Sequence, residues 1–360
     1  MDNISGILRY DEQAMMRLRS IYRQFGYEQY RMSRFEEYGL YSENKAFLAS
    51  GDIITFTGAG GKLMALRPDV TLSIVKNTKD NTETRKLYYN ENVYRPDGRE
   101  FKEQMQVGLE CIGNIDIYSM GEVIMLARRS LLTLGKRTCL DVSHMGFING
   151  LLSSTELSPA QTSELLQRIS EKNIPELTAI CTKYSLSDTY RDRIIALSSI
   201  YGPYTGALSE LQRLNINEET DAALRELEDI KSVLQGFGLA EDVNLDFSIV
   251  NDLSYYSGVI FQGYIEGVPT KVLSGGRYDK LLRKFGKRCG AVGFAVYLDL
   301  LERLAPPRQG THVDVLLLYT DEADPQDVVN AVREITESGQ SVRVTHKDDG
   351  TVKYKKLCKM

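Results

Sequence analysis

The sequence predicts an α+β fold, and three observations carry that expectation. Glycine- and tyrosine-rich stretches alternate apolar and polar residues and break at turn residues, the pattern of strands joined by hairpins. Residues 151–244 instead have few glycines and many Leu, Ile and Glu, with apolar stripes at helical spacing. Residues 312–360 read as strand, helix and strand. The chain is organised around residues 249–261, Ile-Val-Asn-Asp-Leu-Ser-Tyr-Tyr-Ser-Gly-Val-Ile-Phe, continued at 274–280 by Ser-Gly-Gly-Arg-Tyr-Asp-Lys. This reads as two strands meeting at a Ser-Gly bend. Neighbouring strand side chains point to opposite faces, so one of Tyr255 and Tyr256 packs while the other presents its hydroxyl to a cleft. Alone, the stretch suits an ordinary paired-Tyr hairpin as well as a pocket.

At 360 residues the chain has room for two or three domains, and 42% hydrophobic with 26% charged residues is an ordinary globular composition. A net charge of -5 argues against a general polyanion-binding surface. There is no long apolar run, and the opening Met1-Asp-Asn-Ile4 lacks the pattern of an export leader, so a soluble, cytoplasmic chain is expected. Cys111, Cys139, Cys181, Cys289 and Cys358 lack CxxC spacing, and the 3 histidines are scattered; neither a metal site nor a disulfide framework is expected.

In chain order, residues 11–25 carry Met15, Leu18, Ile21 and Tyr22 at helical spacing, with Asp11 as N-cap and Gly26 as stop. Residues 27–35 read as a strand. Residues 53–71 read as a hairpin turning at Gly58-Ala-Gly-Gly61 and leading into a helix; a glycine cluster without GKS/T is a hairpin tip rather than a phosphate cradle. In Leu66-Arg-Pro-Asp-Val-Thr71, Asp69 and Thr71 can both accept from an ammonium, or Asp69 simply caps the helix. A strand over 86–95, a loop and a returning strand over 101–113 follow. Period-two spacing puts Gln106, Gly108 and Glu110 on one face, an expensive pattern for a core because buried polar groups need partners. Helices are expected from Ser158-Pro159, then over about 174–184, 187–200 and 217–237. Residues 289–303 read as a strand running into a helix. The basic tail, Lys353-Tyr-Lys-Lys-Leu-Cys-Lys359, reads as a solvated terminus.

These segments resemble histidyl-tRNA synthetase, a class II synthetase. The 249–261 and 274–280 stretches are similar to its histidine-recognition segments, Leu-Val-Arg-Gly-Leu-Asp-Tyr-Tyr and Gly-Gly-Arg-Tyr-Asp. Residues 66–71 resemble Leu-Arg-Pro-Glu-Gly-Thr, and Gln106-Val-Gly-Leu-Glu110 resembles Gln-Leu-Gly-x-Glu. Arg95 matches the motif 2 arginine, and 11–36 resembles motif 1, which builds the dimer interface, with Ser33 where its proline usually falls. The resemblance implies a class II synthetase-like antiparallel sheet flanked by helices, formed by 1–150 plus 245–305. It also implies a helical insertion over 151–244 and a truncated anticodon-binding-like βαβ unit over 308–360. It further implies a histidine site in which Asp69 and Thr71 hold the α-amino group and Gln106 the main-chain atoms. Glu110, Tyr256 and Tyr278 would hold the ring and Arg95 the carboxylate, with Tyr255 a further residue of the histidine site.

The departures are as informative. Asn251 replaces the arginine of the first histidine segment, and the loop between Arg95 and Gln106 is short. On Gly293-Phe294, motif 3 has Tyr297 for its second glycine, Asp299 for Glu and Leu300 for its arginine, and Arg303 reads as a surface residue. A chain that keeps the residues for an amino acid but lacks those for a reacting phosphate is suited to binding rather than catalysis. That combination resembles the regulatory subunits of ATP phosphoribosyltransferase. The resemblance implies no catalytic residue, metal or cofactor and a dimer of this chain within a hetero-octamer. The implied partners are a short-form catalytic subunit and histidine as allosteric ligand; tRNA and membrane are not expected partners. A histidyl-tRNA synthetase, or a histidine-binding paralogue with another partner, is the alternative.

Overall fold

The computed structural model describes residues 8–48, 52–79, 83–98, 100–250, 256–304 and 311–360. The chain forms two compact units, Met1–Leu304 and Ala305–Met360. In the first unit, helix α1 (Tyr10–Gln24) buries Ala14, Leu18 and Tyr22, one stripe at four-residue spacing. It is capped by Arg9 rather than Asp11: the Glu12 carboxylate accepts from the Arg9 N–H at 2.8 Å, and Asp11 lies inside the first turn. Gly26, at φ 78°, stops it.

The expected strand over 27–35 is divided. Strand β1 (Glu28–Gln29) joins the main sheet, while β2 (Phe35–Glu37), helix α2 (Tyr38–Ser42), β3 (Thr55–Thr57) and β4 (Leu63–Leu66) build a separate corner. There the sheet order is β2-β4-β3. The cause is Arg67, whose side chain is fully buried. Its guanidinium donates to the Ser33 carbonyl at 2.7 Å, to the Asn92 carbonyl at 2.9 Å and to Glu91 at 2.9 Å, so residues 31–34 wrap around it instead of extending. Arg67→Met should destabilise the fold by on the order of 3–5 kcal/mol, because it strands the Glu91 carboxylate and two carbonyls. A urea midpoint unchanged from wild type would show that this centre holds nothing together.

Helix α3 (Thr71–Asn77) follows the β4 hairpin, and then β5 (Arg85–Asp97) and β6 (Glu100–Gly113) pair along their whole length, from Arg85↔Ile112 to Asp97↔Glu100. Most of the expected loop between Arg95 and Gln106 is therefore paired strand, with Gly98 at φ 63°. Helix α4 (Ile117–Leu134), strand β7 (Thr138–His144) and helix α5 (Met145–Ser153) come next. They precede helices α6 (Pro159–Ser170), α7 (Ile174–Lys183) and α8 (Asp188–Ser199), strand β8 (Tyr201–Pro203), and helices α9 (Tyr204–Gln212) and α10 (Glu218–Gly236). Helix α10 packs on α4 and α5; Gly121 makes the first approach possible, since a Cβ there would lie 2.4 Å from the Val233 side chain.

The unit closes with β9 (Asn244–Asp246), β10 (Val259–Ile265), β11 (Leu273–Arg277), helix α11 (Asp279–Lys284), β12 (Gly290–Tyr297) and a 3₁₀ segment, Leu298–Leu304. The entry half of the expected pair of strands over 249–261 falls on 251–255, outside the described residues; the exit half is β10, whose partner is β11 in register Phe261↔Gly275. Ser257 docks its N–H on the Arg277 carbonyl at 2.9 Å. One expectation changes here. After β12 the chain tightens into a 3₁₀ segment rather than an α-helix, with Arg303 exposed. The main sheet among the described residues runs β1-β5-β6-β12-β11-β10-β7-β9-β8, antiparallel except for β1/β5 and β7/β9. Tyr22 of α1 and Met125 of α4 share one buried cluster with Leu109, Val142, Phe261 and Phe294 of the sheet, which assigns one sheet face to the core.

In the second unit, β13 (Val313–Leu318) lies between β14 (Val342–Thr345) and β15 (Tyr354–Lys359), both parallel to it, with helix α12 (Pro325–Glu337) as the crossover. The basic tail is thus an edge strand, not a loose terminus. Leu357 and Cys358, flanked by lysines, pair with Leu316 and Leu317 of β13. No helix among the described residues is long and apolar enough to cross a membrane.

Candidate functional site

On the sheet face away from the α1–α4 core, β6, β12 and β11 line the floor of a cleft of about 500 Å³. Asp69, Thr71, Arg95, Gln106, Glu110, Tyr256 and Tyr278 all line it. Tyr255 and Asn251 lie outside the described residues. The strand register explains the convergence. Gln106 pairs with Tyr297, Gly108 with Ala295 and Glu110 with Gly293, so the face that bears Gln106 and Glu110 on β6 continues across β12 into Ser274 of β11.

The inner end is built on Glu110, a residue only 1% exposed. Thr71 donates to one carboxyl oxygen at 2.9 Å and the Tyr278 hydroxyl to the other at 2.5 Å. Burial pushes this carboxyl up to about 8, against the lowering effect of the Tyr278 and Thr71 hydrogen bonds and with a smaller push from Asp69. Near neutrality the group is poised between donor and acceptor, which suits a ring that itself carries one or two N–H groups. Gly293 is what lets the carboxyl lie flat on β12: a Cβ there would stand 1.8 Å from Glu110 Oε2.

Asp69 caps the start of α3, as one of the two readings of its sequence has it. One oxygen accepts the Leu72 N–H at 2.8 Å in the first turn of α3, and the side chain also lines the cleft. Burial raises its carboxyl, while the Leu72 hydrogen bond and the charges of Arg95 and Arg67 pull it back. The Thr71 hydroxyl directs its proton to Glu110 and keeps its lone pairs to accept from a ligand. Arg95 donates through Nε to the Pro68 carbonyl at 3.2 Å. Among the described residues no carboxylate stands within ion-pair distance of its guanidinium.

The Gly275-Gly276 pair is explained by two close approaches. A Cβ on Gly276 would lie 2.7 Å from the Tyr256 ring, and one on Gly275 would lie 2.4 Å from Phe294 Cβ. Tyr278 is held in place by its neighbours: Arg277 Nε meets Asp279 at 2.9 Å, and Asp279 accepts the Ala291 N–H at 3.0 Å. The cleft also contains Tyr89, Gln104, Lys271, Ser274, Tyr297 and Leu300, which the sequence reading did not place among the ligand contacts. Gln104 and Tyr89 had a usable signal. Gln104 shares the period-two face of Gln106, and Tyr89 sits opposite Gly108, whose missing side chain its hydroxyl fills. Lys271, in the turn before β11, had none. Ser274 lines the cleft together with Tyr256 and Tyr297.

The sheet defines a class II synthetase-like domain, and the family model described as histidyl-tRNA synthetase matches residues 7–301. The chain is 30% identical to an ATP phosphoribosyltransferase regulatory subunit of Caldanaerobacter subterraneus subsp. tengcongensis, over 79% of this chain and 75% of that one. It is 29% identical to the regulatory subunit of Acetivibrio thermocellus, over 85% of this chain and 76% of the relative. It also resembles a crystal structure from Bacillus halodurans described as an ATP phosphoribosyltransferase regulatory subunit/histidyl-tRNA synthetase. The TM-score is 0.83 at 27% identity, covering 97% of this chain and 93% of that one. This chain belongs to the family of ATP phosphoribosyltransferase regulatory subunits, built on the histidyl-tRNA synthetase fold.

Proposed function

We propose that the chain is a non-catalytic subunit that a short-form ATP phosphoribosyltransferase requires for activity, and through which histidine inhibits that enzyme in the first step of histidine biosynthesis. The observation that carries this reading is the asymmetry of the cleft. Its inner end offers Asp69, Thr71, Glu110 and Tyr278 to a small polar ligand, while Tyr297 and Leu300 line its other end. Leu300 has no charge to offer a triphosphate, and Tyr297 fills space that a nucleotide needs. Histidine would place its α-ammonium at Asp69 and Thr71, its ring at Glu110, Tyr256 and Tyr278, its main-chain atoms near Gln106 and its carboxylate at Arg95.

Inhibition then is a coupling free energy: histidine must prefer the inactive assembly, and about 1–3 kcal/mol of preference is enough for regulation. A cytoplasmic hetero-octamer containing dimers of this chain is the assembly the reading includes. The names of the relatives support the partner, since a regulatory subunit implies a catalytic one.

Calorimetric titration should show one histidine bound per chain, and histidine-dependent ATP–pyrophosphate exchange should stay at background. Exchange above background would favour the synthetase reading instead. No histidine binding at all would remove the proposed ligand.

A further inference from the structure

We propose that Lys271 joins Arg95 to form a carboxylate clamp, so that the cleft takes an amino acid with a free α-carboxylate and refuses its decarboxylated counterpart. The inference rests on the histidine reading above and adds a specificity-determining residue to it. Lys271 lines the same cleft as Arg95, in the turn leading into β11, where the Tyr297 N–H donates to the Val272 carbonyl at 2.9 Å. Among the described residues no carboxylate lies within ion-pair distance of Lys271. Lys102, on β6 near the same end, is by contrast matched by Asp299 at 3.4 Å. Burial alone depresses the Lys271 ammonium, with no neighbouring acid to offset it.

Holding an ammonium in a partly dry cleft without a counter-charge is unfavourable, and removing the partner of a buried charge is costly in the same way. A ligand anion relieves it. The charge layout of the cleft fits that role. Asp69 and Glu110 are the acids that line it, and the two cations, Arg95 and Lys271, have no acidic partner within ion-pair distance among the described residues. A zwitterion with a basic ring complements both groups. A flat guanidinium and a mobile ammonium can each take one carboxylate oxygen, a division of labour that suits their different shapes. Tyr297 and Leu300 line the same cleft and bring no charge that would compete for the two cations.

The test is calorimetric titration of the full chain with histidine and with histamine, for wild type, Lys271→Met, Lys271→Gln and Lys271→Arg. The Met and Gln variants should bind histidine about tenfold more weakly, the size of one lost charge-assisted hydrogen bond, with histamine affinity unchanged. Lys271→Arg should restore most of the preference for histidine. Histidine affinity and histidine-to-histamine preference equal to wild type in the Met and Gln variants would overturn the clamp and leave the histidine reading standing. Equal weakening for both ligands would also overturn it, since Lys271 would then shape the cleft without reading the carboxylate. If wild type binds no histidine, the reading and the clamp fall together.

Discussion

Glu110→Gln should give a protein that is more stable without ligand at pH 8 than wild type and that binds histidine at least about tenfold more weakly. Both effects come from the same burial. The carboxyl has moved from the ordinary 4.5 to about 8 in the folded chain, so the native state keeps a proton that the unfolded state releases. The stability this proton contributes is fully present below about 4.5 and is lost as the pH rises through about 8. The displacement sets an upper bound of about 5 kcal/mol, and relaxation around the group reduces it to on the order of 2–4 kcal/mol. Glutamine keeps the shape without the ionisation. The stability gap between variant and wild type should therefore widen from pH 5 to pH 8 and then level off. Urea unfolding across that range measures it; a gap that does not change with pH would show that Glu110 ionises freely in the native cleft. The weaker histidine binding follows because an amide cannot match the charge of an imidazolium.

Gly293→Ala should be the most damaging single-methyl change in the cleft. The added Cβ meets Glu110 Oε2 at 1.8 Å and the Leu109 carbonyl at 2.4 Å. The carboxyl can swing away, but the carbonyl belongs to the β6 backbone and can move only with the strand. Overpacking of this kind costs about 1–3 kcal/mol, and here it also breaks the hydrogen bonds from Thr71 and Tyr278 that orient Glu110. Loss of histidine binding in a protein that still melts cooperatively is the expected outcome. Unchanged affinity in Gly293→Ala would mean that the ligand does not depend on where Glu110 lies.

The strands and helices that alternate or carry a stripe were legible in the sequence. α1, α3, the β5–β6 pair, four of the helices between 159 and 236, and the βαβ unit all show their period. Helix α4 did not, for a physical reason: Met120 through Arg128 are all buried, so no polar face marks its turns. Strand β7 is almost as fully buried and likewise lacks alternation.

The site was legible in parts. Period two put Gln106 and Glu110 on one face, but Thr71 and Tyr278 lie 39 and 168 residues from Glu110, and only the fold brings their hydroxyls to its carboxyl. Lys271 was invisible because a lysine in a turn reads as solvated. Its meaning lies in what the cleft does not place beside it. The division of residues 27–35 was hidden for the opposite reason. It depends on one buried guanidinium donated from 34 residues away, a tertiary demand that overrides local alternation.

The most direct measurement mixes the purified chain with a short-form catalytic ATP phosphoribosyltransferase and follows phosphoribosyl-ATP formation with and without histidine. The regulatory reading requires activity that appears only when both chains are present and that falls as histidine is added. Chains that do not associate, or a catalytic partner indifferent both to this protein and to histidine, would contradict it.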